Sequence, residues 1–145
     1  MTSAAPHIFI IEGRFYDDIA DHLLSGTKTA LVKIGATYDV FTVPGALEIP
    51  AAITIAADSG KYDAFIALGC VIRGETAHYD IVAGESARAI MDLTINDGLP
   101  IGNAILTTET KDQAMTRADP AQKNKGQDAV NAVMALLNLR EQLKP

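Results

Sequence analysis

Twelve consecutive residues, Gly69 to Asp80 (GCVIRGETAHYD), hold the densest chemistry of this 145-residue chain. Among them stand Cys70, Arg73, Gly74, Glu75, Thr76, His78 and Asp80, directly before a segment of helical periodicity. Unpaired amides at a helix start point at an anion and the helix dipole favours it, so Gly74 and Thr76 offer a backbone and hydroxyl cradle. Histidine titrates near neutral pH, which suits His78 to moving protons. Alone, such a histidine reads as a cap or a surface residue; two residues from an anion cradle, it is a candidate general acid and base. Cys70 reads as a small residue ending a buried strand, since no acid and base pair beside it points to a thiol nucleophile.

Three other short segments concentrate unusual residues. Gly13, Arg14, Phe15 and Tyr16 set two aromatics at a loop tip, either as a staple for the following helix or as a platform for a planar ligand. In VPGALEIP (43–50), Gly45 permits a sharp turn and Glu48 opens a helix, where a carboxylate caps the helix or touches a ligand. The last segment runs from Asn103 through Thr107, Thr108 and Glu109 to Arg117, Lys123, Asn124, Lys125 and Gly126. Its three cations are ordinarily a solvated face; if they converge on the cradle, the substrate carries a phosphate. His7, His22 and His78 lie far apart, and no cysteine or carboxylate spacing completes a ligand set, so no metal is expected. Neither a Walker glycine loop nor the dinucleotide glycine fingerprint is present, and the chemistry needs no redox cofactor.

Each of these segments follows an apolar run that reads as a strand. HIFIIE (7–12) and DAFIALGCV (63–71) are continuous apolar runs of the kind buried on both faces of a parallel sheet. DVFTV (39–43) and PIGNAILTT (100–108) read as two more strands. Between them lie helical patterns at about 16–34, from Pro50 to Asp58, and from about 79 to near Gly98; two further helices, 109–117 and about 127–143, are separated by Asp119 and Pro120. In the first helix Ala20, Leu23, Leu24, Thr27, Ala30, Leu31 and Ile34 share a face, with Gly26 as a tolerated interruption. Strands alternating with helices imply parallel pairing through right-handed crossovers. The expected fold is therefore α/β: a three-layer sandwich with a four-stranded parallel sheet, flavodoxin-like. Ligands of such sheets bind beyond the carboxyl ends of the strands, where the four segments stand.

Composition narrows the function classes. Residues 1–145 read as a single domain with 48% hydrophobic and 21% charged residues, enough to bury a core. No uncharged run exceeds eleven residues, so no membrane span is expected. A formal charge of −6 repels a phosphate backbone, so nucleic acid is not an expected partner. One cysteine cannot form an internal disulfide, which fits a cytoplasmic protein.

The segments GRF, VPGALEIP, GCVIRGETAHYD, ILTTE and KNKG, in this order and at these spacings, resemble the lumazine synthase family of riboflavin biosynthesis, from about residue 7 to 140. The resemblance implies a cofactor-free condensation of 5-amino-6-ribitylaminouracil with 3,4-dihydroxy-2-butanone 4-phosphate, giving 6,7-dimethyl-8-ribityllumazine, phosphate and water. It implies that Phe15 stacks on the pyrimidine and that Ala46, Leu47 and Glu48 hold the ribityl chain and ring edge. Cys70, Val71 and Ile72 would contact the uracil through backbone groups, Glu75 and Thr76 the phosphate. His78 matches the family's proton-transfer histidine, Arg117 its phosphate-binding arginine and Lys125 a substrate-contacting lysine. The family's pocket lies between adjacent subunits, with the Asn103 and Arg117 region supplied by the neighbour. Three positions depart: Asn103 stands where many relatives carry an aromatic ring, Tyr16 replaces a common Asn, and Leu47 a common Phe.

A closed homo-oligomer, a homopentamer, follows from this resemblance and from the apolar residues of the last helix, Val130, Val133, Met134, Leu136, Leu137, Leu139 and Leu143. The segment Asp119 to Lys123 lacks the glycine-containing turn of shell-forming relatives, which favours a ring. The rival reading is a non-catalytic flavin-binding module on the same fold, with Phe15 as the stacking ring and His78 as a helix cap. A receiver-type signalling domain is disfavoured, because Gly69 and Cys70 end the third strand with no phosphoacceptor aspartate.

Overall fold

A computed structural model describes residues 5–145. The four apolar runs form β1 (His7–Gly13), β2 (Thr37–Val43), β3 (Ala64–Ile72) and β4 (Ile101–Thr108). The intervening patterns form α1 (Asp17–Lys33), α2 (Ile49–Asp58), α3 (His78–Asn96), α4 (Lys111–Ala118) and α5 (Lys125–Gln142). All strand pairs are parallel, in the order β2-β1-β3-β4, and Ile10 of β1 pairs with Val40 on one side and Ile66 on the other. Alternation along β1 sends Ile8 and Ile10 to the core under α1, α4 and α5, and Phe9 and Ile11 to the core under α2 and α3. Both faces of the sheet are covered, which is why β1 and β3 carry continuous rather than alternating apolar runs. The expected three-layer α/β sandwich is the observed fold.

Several helix ends differ from the sequence reading, each for a local reason. α4 starts at Lys111 rather than 109, because the Thr110 hydroxyl accepts from the Gln113 amide while the Gln113 side chain accepts from the Thr110 amide, a capping box. α5 starts at Lys125, two residues early, after Asn124 turns the chain with φ of +49°. Ile34 is exposed rather than buried, since it lies past the end of α1 as its C-cap. Gly26 is not a mere interruption: a Cβ there would run into the Asn124 side chain, and one at Gly126 would run into the Leu23 carbonyl. These two glycines let the start of α5 pack directly onto α1.

The strand order creates the crevice that matters for function. The chain steps from β1 out to β2 and then back across to β3, so the crossovers leave β1 in opposite directions and a gap opens beyond the carboxyl ends of β1 and β3. Phe15 follows the first of these strands, and Cys70 to Ile72 finish the second.

Candidate active site

A cleft of about 360 Å³ fills this crevice. The turn after β1 contributes Phe15, and the single 3-10 turn after β2 contributes Ala46, Leu47 and Glu48. The end of β3 adds Cys70, Val71 and Ile72, and His78 enters as the first residue of α3. Eight residues singled out from sequence thus meet at one place. Tyr16, Gly45 and Val82 line the cleft as well. Val82 was not singled out from sequence as a site residue, although its spacing of four from His78 puts both on one side of α3.

The two aromatics differ in burial. Tyr16 is half-buried against the core and staples α1, whereas Phe15 is 73% exposed and meets Tyr16 edge-on, with centroids 4.9 Å apart. The Phe15 ring is thus left open at the mouth of the cleft. Glu48 makes no capping hydrogen bond to α2, so its carboxylate is available to the cleft. A buried ion pair that sequence reading missed holds the turn carrying Phe15. Glu12, only 3% exposed, accepts from Arg14 Nη1 at 2.6 Å and from the Thr42 hydroxyl at 3.1 Å. Arg14 also bonds Asp21 and Asp17, and Asp21 above all pushes its pKa further up. The spacing of Glu12, Arg14, Asp17 and Asp21 is the signal that could have found this cluster.

Six expected residues of the fourth segment and the cradle lie outside this cleft. Glu75 and Thr76 are exposed in the turn just before His78, where the Thr76 hydroxyl accepts from the His78 amide at 3.3 Å. Asn103, Arg117 and Lys125 line a second cleft of about 340 Å³, between the edge strand β4 and α5. Lys123 is exposed and outside it. Asn103 folds back on its own strand, its Oδ1 accepting from the Ile105 amide at 2.9 Å. Arg117 donates to the Gln113 carbonyl at 3.0 Å, and Lys125 Nζ lies 3.1 Å from Asp128. Within one chain, Arg117 and Lys125 therefore line a different cleft from Phe15.

The family model for 6,7-dimethyl-8-ribityllumazine synthase matches residues 5–141. The chain belongs to this family. Proteins bearing that name are 56% identical in Methylorubrum extorquens, covering 94% of this chain and 82% of the relative, and 55% identical in Agrobacterium fabrum, covering 95% and 97%. Another, from Zymomonas mobilis, is 59% identical over 92% of this chain and 96% of its own. As a lumazine synthase family member the chain is an enzyme, a transferase whose condensation forms 6,7-dimethyl-8-ribityllumazine in riboflavin biosynthesis. Nothing in the cleft or the matches favours the non-catalytic flavin-binding module.

The Cys70 thiol lines the first cleft, half-buried. Burial first, and then the charge of Asp18, pushes Cys70 up to about 12, so it stays neutral at working pH. Because only the thiolate reacts, alkylation of native Cys70 at pH 8 runs roughly ten- to a thousandfold slower than for an ordinary thiol. Mass spectrometry after iodoacetamide treatment checks this; equal rates in the native and urea-unfolded protein would contradict it.

Proposed function

We propose that the condensation takes place where the first cleft of one chain meets the second cleft of the next. One observation carries this reading: Phe15 and His78 line one cleft of a chain, Arg117 and Lys125 another. A heterologous interface, repeated head to tail, brings such halves together at every junction of a closed ring. Uncovered apolar side chains supply the surface for it. Ile55 on α2, Ile81 and Ile95 on α3, and Leu139 and Leu143 at the end of α5 are all at least half exposed. A homopentamer acting in the cytoplasm is the assembly we favour, on the family resemblance and the proline at position 120.

In this arrangement Phe15 stacks on the pyrimidine of 5-amino-6-ribitylaminouracil, and Ala46, Leu47 and Glu48 take the ribityl chain and ring edge. Backbone groups of Cys70, Val71 and Ile72 face the uracil. The phosphate of 3,4-dihydroxy-2-butanone 4-phosphate sits on the turn of Glu75 and Thr76 at the start of α3, with Arg117 and Lys125 of the neighbouring chain closing over it. The amine attacks the ketone and a first water leaves to give an imine; phosphate departs to leave an enol that becomes a ketone, and the ribityl-bearing nitrogen closes the second ring on that ketone with loss of a second water. Each step moves a proton, and one imidazole can take and return it. Phosphate departure needs oriented amides and positive charge, which the cradle and Arg117 provide. With Asn103 bonded to its own strand, the pyrimidine is stacked on one face by Phe15 alone.

Light scattering on a size-exclusion column tests the assembly. A mass near five chains is expected, together with lumazine absorbance when both substrates are added; an active monomer would overturn the shared site.

A further inference from the structure

Arg73 follows the last residue of β3 and lines neither cleft. Its amide donates to the Thr108 carbonyl at 2.9 Å, one rung beyond the last paired residues, Ile72 and Thr108. Its guanidinium reaches two further elements. Nε stands 3.1 Å from Glu109 in the turn before α4, and Nη1 stands 3.3 Å from Asp80 in the first turn of α3. Cζ lies 4.2 Å above the ring centroid of Tyr79, also in that turn.

Gly74 to Ala77 span the gap between Arg73 and α3 and are all exposed, and a Cβ built on Gly74 would meet nothing within 4 Å. The shape of that turn is therefore set at its two ends. Exposed ion pairs such as these add little to stability. A planar guanidinium held by two carboxylates and a ring face has few orientations open to it, which is a gain in geometry. It also offsets the charges of Asp80 and Glu109, which would otherwise repel an arriving phosphate.

The geometry points to Arg73 as a positioning residue: through Glu109, Asp80 and Tyr79 it fixes both ends of the Gly74 to Thr76 turn and so sets the cradle and His78 for the phosphate-bearing substrate. This rests on the cradle reading proposed above.

Steady-state kinetics of the whole enzyme, with each substrate varied in turn, test it. Arg73→Ala and Glu109→Gln each raise KM for the butanone phosphate about five- to tenfold and leave KM for the pyrimidine within about twofold. The double variant is no worse than Arg73→Ala, because both remove one clamp. Arg73→Lys, which keeps the charge without the planar fork, recovers part of the loss. Unchanged KM values, equal losses for both substrates, or multiplying losses in the double variant overturn the proposal. So does a lower KM in Glu109→Gln, which would mean that a released Arg73 binds phosphate itself. If Arg73→Ala does not fold, Glu109→Gln and Arg73→Lys make the same comparison. Thr76→Val separates the two readings: if it leaves KM for the butanone phosphate unchanged, the cradle falls and the clamp with it. If it raises that KM while the Arg73 and Glu109 variants do not, the clamp alone falls.

Discussion

Arg117→Ala weakens binding of the phosphate-bearing substrate ten- to a hundredfold and leaves the pyrimidine nearly untouched. A charge-assisted hydrogen bond contributes about 1.5–3 kcal/mol, which corresponds to that range. Arg117 is well placed to give it. Its hydrogen bond runs to the neutral Gln113 carbonyl, and among the described residues it forms no ion pair, so its charge is not spent within the chain. Arg14, by contrast, is held by three carboxylates and has none to offer. Calorimetric titration of each substrate separately checks the prediction. Equal losses for both would make Arg117 a structural residue.

His78→Ala lowers the rate about a hundredfold or less. General acid and base catalysis contributes roughly 10²–10⁴, and the lower end applies where holding two reactants together supplies much of the acceleration. In the proposed site the cleft supplies that holding, since Phe15, the 3-10 turn after β2 and the end of β3 remain in the variant. Position supports the role as well, since His78 is the one imidazole lining either the first or the second cleft. Steady-state rates measured at saturating concentrations of both substrates decide it. Wild-type turnover in the variant would remove His78 from the chemistry.

Sequence was most legible where one constraint dominates. A strand buried on both faces must be apolar throughout, so β1 and β3 were readable to within a residue or two, and the strand ends located the cleft. Features that depend on two distant segments were not readable. Gly26 looks like a flaw in α1 until Asn124 is seen against it, and nothing in α1 announces the approach of α5. The Glu12 and Arg14 pair escaped because Glu12 ends an apolar run, where a charge ordinarily marks the return to solvent; here β2 brings Thr42 to complete its partners. The capping box of α4 was within reach, since Thr110 and Gln113 stand at its spacing. The division of the site residues between two clefts depends on which way β4 and α5 face, and that direction is a property of the packed sheet rather than of any local pattern.

In the proposed assembly each site takes Phe15 and His78 from one chain and Arg117 from the next. Mixing the two weakened variants tests this sharing. His78→Ala and Arg117→Ala chains, refolded together in equal amounts, should recover about one quarter of wild-type activity at substrate concentrations below KM, because a quarter of random head-to-tail junctions pair two intact halves. Activity no greater than the mean of the two separate variants would contradict a shared site and place the whole reaction within one chain.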